Sequence, residues 1–251
     1  MDHNLGNINH TDIPPFADLL HKCKNGNVDL DLMIHSPGGD IDTAEKIIYM
    51  CRNCAHSFRL IVPESAKSAA TLIGLGADTI AMGYTSELGP IDPQISITTA
   101  NGIIMKRPAQ SFLDGLENIK QAATAEGGLN PAYFPLLDHL DPALIDFCAK
   151  SIARSQDFAK KWLKRHMLSD DPDKAESVAE QLSDVKRYLS HGIAIDAREA
   201  QNIGLKIEYL EKGDPLWDYI WRLHTDYLID IARNNCIKLF ESTDISIPVF
   251  D

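Results

Sequence analysis

Two short runs of small residues hold the groups that could do chemistry. Ile34-His35-Ser36-Pro37-Gly38-Gly39-Asp40 closes one predicted strand, and Ser65-Ala66-Lys67-Ser68-Ala69-Ala70 follows the next, Phe58 to Pro63. Each run leads straight into a helical pattern. In successive βα units the loops at the strand carboxyl ends lie side by side, where open α/β sheets build their sites. Gly38 and Gly39 offer backbone amides that a ligand can approach closely. Ser68 offers a hydroxyl at a helix start, where positive potential favours a developing alkoxide. The pair suits acyl transfer: Ser68 attacks a carbonyl, and the amides of Ala69 and of Gly38 or Gly39 hold the oxyanion. Plainer roles exist for each part. Ser68 could be a helix N-cap and the glycines a tight turn, while Ser65 is a rival hydroxyl. A phosphate loop is excluded because no Gly-Lys-Ser/Thr follows. The third segment, Ser86 to Gln94, is rich in Pro and Gly and reads as a rigid loop, either a corner or a cleft wall.

The rest of the chain supplies the elements that position these turns. A helix is predicted over 12–25, capped by Thr11 or Asp12. A strand follows at 28–34, then a helix at 41–51, a strand at 59–62, a small-residue helix at 68–76 and a strand at 78–82. Strands alternating with helices indicate βαβ crossovers and a largely parallel α/β sheet. Beyond residue 94 come one strand or an excursion at 98–105 and helices at 112–125, 142–168 and 172–182. A short helix at 197–203 is closed by Gly204 and followed by a strand. A last helix is predicted over 216–240, whose Trp217, Trp221 and Tyr227 suit core packing or a docking surface.

Bulk properties bound the function. At 251 residues the chain can bury a sizeable core, and its net charge of -12 argues against a nucleic-acid surface. No apolar run reaches the roughly eighteen residues that span a bilayer. The amino terminus has no secretory pattern, so no membrane segment and a cytoplasmic location are expected. The five cysteines have no framework spacing, and Cys51 and Cys54 read as ordinary reduced thiols. The nine histidines show no ligand spacing, so no metal is expected.

Ser36-Pro37-Gly38-Gly39 resembles the Ser/Thr-Pro-Gly-Gly signature shared by the Clp-protease proteolytic subunit and signal peptide peptidase A. Ala66-x-Ser68-Ala69, Ala77 to Met82 and Leu88-Gly89-Pro90-Ile91-Asp92-Pro93-Gln94 resemble, more narrowly, the serine dehydrogenase proteinase family. His191-Gly192 and the run from Asp196 to Leu205 extend the likeness. The resemblance implies a ClpP/crotonase-type spiral of βαβ units over 1–210, with 97–184 a partly helical insertion; 211–251, which the resemblance does not place, reads as an appended helical extension. It implies a serine peptidase acting on peptides or proteins through Ser68, with Gly38 or Gly39 and Ala69 as oxyanion amides. It also implies a homo-oligomer, with room for an ATPase or other protein partner, and no cofactor.

The base is the open point. Where the Clp subunit's histidine would fall, this chain has Ile91 or Asp92. Lys106 lies 38 residues beyond Ser68, where dyad-type relatives place a lysine, and Ile103-Ile104-Met105 could desolvate it. Lys67 is expected to point away from Ser68. Asp92 could orient a base, and His191 could be brought in by the fold. Two rival functions stand beside the peptidase. One is a catalytically inactive scaffold or subunit of a larger complex, and the other is a crotonase-like acyl-CoA enzyme, which would not need the Ser68 hydroxyl.

Overall fold

The computed structural model describes residues 6–21, 28–98, 101–125, 135, 141–188 and 190–250. A four-stranded parallel sheet is built from β1 (Val28–Met33), β2 (Ala55–Val62), β4 (Thr79–Met82) and β8 (Ile207–Tyr209), in the order β1-β2-β4-β8. The two central strands are buried on both faces, as parallel strands usually are. Their side chains sort by the strand period of two. Phe58, Leu60 and Val62 of β2 and Ile80 and Met82 of β4 enter the main core. Ile61 and Ala81, pointing the other way, meet Trp217 and Ile220.

The main core is closed by α2 (Ile41–Cys54), α3 (Ala69–Leu75) and α5 (Pro142–Arg165). α2 starts where the Asp40 carboxylate accepts from the Thr43 amide at 2.7 Å. α5 is amphipathic: Cys148 packs with Ile95 and Ala109, while Phe158, Ala159, Trp162 and Leu163 reach the main core. It packs beside α6 (Pro172–Ser183), which leads to the short α7 (Val185–Tyr188). Arg52 of α2 makes a two-pronged pair with Asp78 at 2.9 Å, tying helix to strand. Burial works to raise the Asp78 carboxyl, but the Arg52 contacts and the Phe58 amide outweigh it and hold the group below its ordinary value.

Several boundaries differ from the sequence expectation. The segment expected as one strand or an excursion is a hairpin of β6 (Gln94–Thr98) and β7 (Ile104–Pro108), with Gly102 at φ +77° in its turn. It is followed by α4 (Ala109–Ala125). α8 (Ala197–Ile203) ends as read, on Gly204 in the left-handed region. The last helix, α9 (Pro215–Asn234), stops six residues before the expected residue 240, because Asn235 takes φ 52°, ψ 36°. The chain then forms β9 (Lys238–Glu241), antiparallel to β10 (Ser246–Val249).

The amino-terminal helix α1 (Ile13–Leu20) is preceded by a 3-10 turn capped by Asn9. Asp12 makes no side-chain cap for α1. Its carboxylate accepts from the Asn9 amide at 2.9 Å and from Lys238 Nζ of β9 at 2.5 Å, and both ionic side chains are buried. Residues 22–25 of the expected helix, including Cys23, lie outside the described residues. The Asp12–Lys238 pair joins the two ends of the chain. Lys238→Met is expected to lower unfolding free energy by about 3–5 kcal/mol, since it strands a buried carboxylate. Asp12→Leu/Lys238→Met should recover part of that loss in urea unfolding, and a double variant no better than the single would contradict this account.

Candidate active site

β2 runs through Pro63 and Glu64 into β3 (Ser65–Ala66), which pairs in parallel with β5 (Glu87–Leu88) to form a small second layer at the carboxyl end of the main sheet. The chain turns between β3 and α3 at Ser68, which sits at φ 51°, ψ -114°. This lies outside the left-handed helical region that Asn235 occupies, and a side-chain-bearing residue there stores about 1–3 kcal/mol of strain. The Ser68 hydroxyl makes no cap bond to the helix it starts. The N-cap role therefore does not account for it.

The Ser36–Gly39 turn is pressed against this elbow. The Ser36 amide donates to Ser65 O and the Lys67 amide donates to Ser36 O, both at 3.0 Å. Gly38 is where close approach is needed: a Cβ there would stand 2.5 Å from Lys67 O and 2.8 Å from Ser68 Cβ. Gly39 lies against Ile8, whose amide donates to Gly38 O at 2.7 Å and whose carbonyl accepts from Asp40 at 2.8 Å. The two glycine amides differ. Gly38 N–H donates to Ser36 Oγ at 3.1 Å. Gly39 N–H and Ala69 N–H have no acceptor among the described residues.

The loop after β5 is latched to the elbow by Thr71, which is fully buried. Its Oγ1 lies 2.7 Å from Ala66 O and 3.0 Å from Gly89 O, and accepts from the Gly89 amide at 3.1 Å. Further along, Ile91 N–H donates to Leu182 O at 3.0 Å and Ile91 O accepts from Ser155 Oγ at 2.6 Å. Helices α5 and α6 thus fix the next residue, Asp92, which is buried. One Asp92 oxygen accepts from Gln94 Nε2 at 3.0 Å, and the other lies 2.7 Å from His191 Nδ1. His191 approaches from the segment that pairs Ile195 with Leu88. Two residues on, Ile193 O accepts from Lys67 Nζ at 3.0 Å.

Lys67 points away from the elbow, as expected from its neighbours: its ammonium reaches Glu87 at 2.8 Å and the carbonyls of Leu88 and Ile193. Lys106 lies exposed on β7, opposite Ser96. Ile103 and Ile104, read as its desolvating surroundings, are 60% and 69% exposed.

A second cluster has no counterpart in the sequence reading. His35, Glu64 and the buried His224 of α9 bring their ligand-type atoms within 4.8 Å of one another. Burial lowers the His35 pKa, Glu64 opposes the fall and His224 adds to it.

Fold and site together define a parallel α/β protein with a serine on an uncapped strand-to-helix elbow, facing a glycine turn. Residues 20–124 match the family of ClpP-like SDH-type serine proteinases, the family that the motifs resemble. Two uncharacterized proteins of Methanocaldococcus jannaschii, MJ0137 and MJ1495, are 30% and 25% identical to 71% of this chain. The chain spans about half the length of these curated relatives, 53% and 51%. Solved structures of the membrane-bound stomatin-specific protease 1510-N, in two mutant forms, align at 17% and 16% identity. Each has a TM-score of 0.35, covering 82% and 86% of this chain and 93% and 94% of theirs. One of the two holds a substrate peptide.

Proposed function

We propose that this chain is a serine peptidase in which Ser68 is the nucleophile, Gly39 and Ala69 supply the oxyanion amides, and His191, oriented by Asp92, is the base. The observation that carries the reading is the Ser68 elbow: a strained serine, uncapped, with Gly38 packed on it and two nearby amides without acceptors among the described residues. A plain cap would not need this backbone, and a crotonase-like acyl-CoA enzyme would not need this hydroxyl. Ser68 Oγ forms a bond to the peptide carbonyl carbon while its proton passes to the His191 imidazole. The carbonyl oxygen takes the negative charge in the amide pair. Collapse then breaks the C–N bond, His191 returns the proton to the leaving amine, and water hydrolyses the acyl-enzyme by the same exchange. Gly38 contributes space, since its own amide is engaged with Ser36 Oγ. His191 is preferred to Lys106 as base because its Nδ1 is already held by a buried carboxylate, whereas a lysine base needs a dry pocket.

A homo-oligomer in the cytoplasm is part of the proposal. The exposed Ile103, Ile104 and Met105 of the hairpin suit a contact between copies, and no disulfide joins the described cysteines. The test is fluorophosphonate labelling with cleavage of a mixed fluorogenic peptide set. Wild type should label and cleave, and Ser68→Ala should do neither. Labelling that persists in Ser68→Ala would move the nucleophile elsewhere. A folded wild type that neither labels nor cleaves would favour the inactive scaffold.

A further inference from the structure

We propose that His35, Glu64 and His224 form a binding site for a divalent transition metal of the zinc class, joining α9 to the carboxyl ends of β1 and β2. The three residues come from separate elements. His35 follows β1, Glu64 follows β2, and His224 lies two turns into α9. His224 Nε2 is 2.9 Å and His35 Nδ1 3.8 Å from the same oxygen, Glu64 Oε2. The two imidazole centroids are 4.9 Å apart. Ligands about 2.0–2.2 Å from one tetrahedral ion stand roughly 3.3–3.5 Å from each other, so these atoms, all within 4.8 Å of one another, would share it after side-chain shifts of about an ångström.

A simple pair of the buried His224 with the half-exposed Glu64 explains less. It satisfies His224 through Glu64, but leaves His35 Nδ1 too far from that oxygen for a hydrogen bond. His35 Nδ1 makes instead a long contact of 3.4 Å with Ser65 Oγ. Two imidazoles facing one carboxylate also match the nitrogen–oxygen preference of zinc. The Trp221 ring lies 5.6 Å from the His224 ring, while the His35 and Glu64 side chains are 36% and 46% exposed. Three protein ligands with an open outer side leave a fourth position for water.

The consequence is positional. His35 immediately precedes Ser36, whose hydroxyl receives the Gly38 amide, and Glu64 immediately precedes β3 and the elbow. A metal here would pin both turns of the proposed peptidase to α9, although the site stands whether or not the chain cleaves peptides.

Titration of the chelator-treated chain of 251 residues with Zn2+ in a calorimeter tests this, with Co2+ visible spectra as a second readout. One equivalent of Zn2+ should bind, raise the thermal midpoint, and give Co2+ bands of four-coordinate intensity. His35→Ala and Glu64→Gln should each weaken binding at least about 100-fold and abolish the midpoint rise. His35 is partly exposed, so its variant should fold even if His224→Ala does not. Absence of stoichiometric Zn2+ binding, or binding unchanged in His35→Ala and Glu64→Gln, would overturn the proposal. Peptide cleavage is read separately, so a failed metal titration leaves the Ser68 result intact.

Discussion

His191→Ala is expected to lower kcat/KM for peptide cleavage about 1,000-fold, while Lys106→Ala leaves it within about threefold. A serine hydroxyl needs a proton acceptor at the moment of attack, and a positioned imidazole is the usual one. His191 is positioned by a buried Asp92, itself fixed through Ile91 by the Leu182 carbonyl and the Ser155 hydroxyl. Asp92→Asn should therefore also lose most of the rate, through a misoriented or wrong-tautomer ring, since Asp92 is proposed to act through His191. Lys106 is an exposed residue with exposed neighbours. Steady-state cleavage of a fluorogenic peptide by the three variants, each checked for native circular dichroism, decides the matter. Loss of activity in Lys106→Ala with retention in His191→Ala would give the base role to the lysine.

What could be read from sequence follows the range of the interactions. The glycine turn and the serine elbow are each local, within seven consecutive residues, and the period-two strands around them fix which side they face. The short helix ending at Gly204 was readable for the same reason, since one left-handed glycine marks its stop. The end of α9 was not. Apolar spacing continues into β9, and only the left-handed Asn235 separates them. The Asp92–His191 contact joins residues 99 apart, and Glu64 and His224 are 160 apart. Neither has a spacing signature. Their residue types were visible, but the meeting depends on how β5, α6 and α9 return to the carboxyl end of the sheet. The split between Gly38 and Gly39 was also hidden, because it depends on the rotamer of Ser36.

The elbow makes a second large effect predictable, this time with opposite signs at neighbouring positions. Gly38→Ala should cut kcat/KM about 100- to 1,000-fold and lower stability by about 3 kcal/mol. Its new Cβ would meet the Lys67 carbonyl at 2.5 Å and Ser68 Cβ at 2.8 Å, from a backbone at φ +99°. Both contacts belong to the main chain or to the first side-chain atom, so no flexible tip can yield. The turn must back away, and it carries the Gly39 amide with it. Ser68→Gly should do the reverse for stability. It removes the hydroxyl and ends turnover, yet frees a backbone held at φ 51°, for a net gain of about 1 kcal/mol over Ser68→Ala after the greater freedom of unfolded glycine is subtracted. Urea unfolding of the three variants measures both signs. Equal stability of Ser68→Gly and Ser68→Ala would mean that the elbow stores no strain, and the strained serine would lose its standing as the mark of a nucleophile. A stabilised, inactive Ser68→Gly would show that the fold holds this residue against its own preference, which a cap or a plain corner has no reason to do.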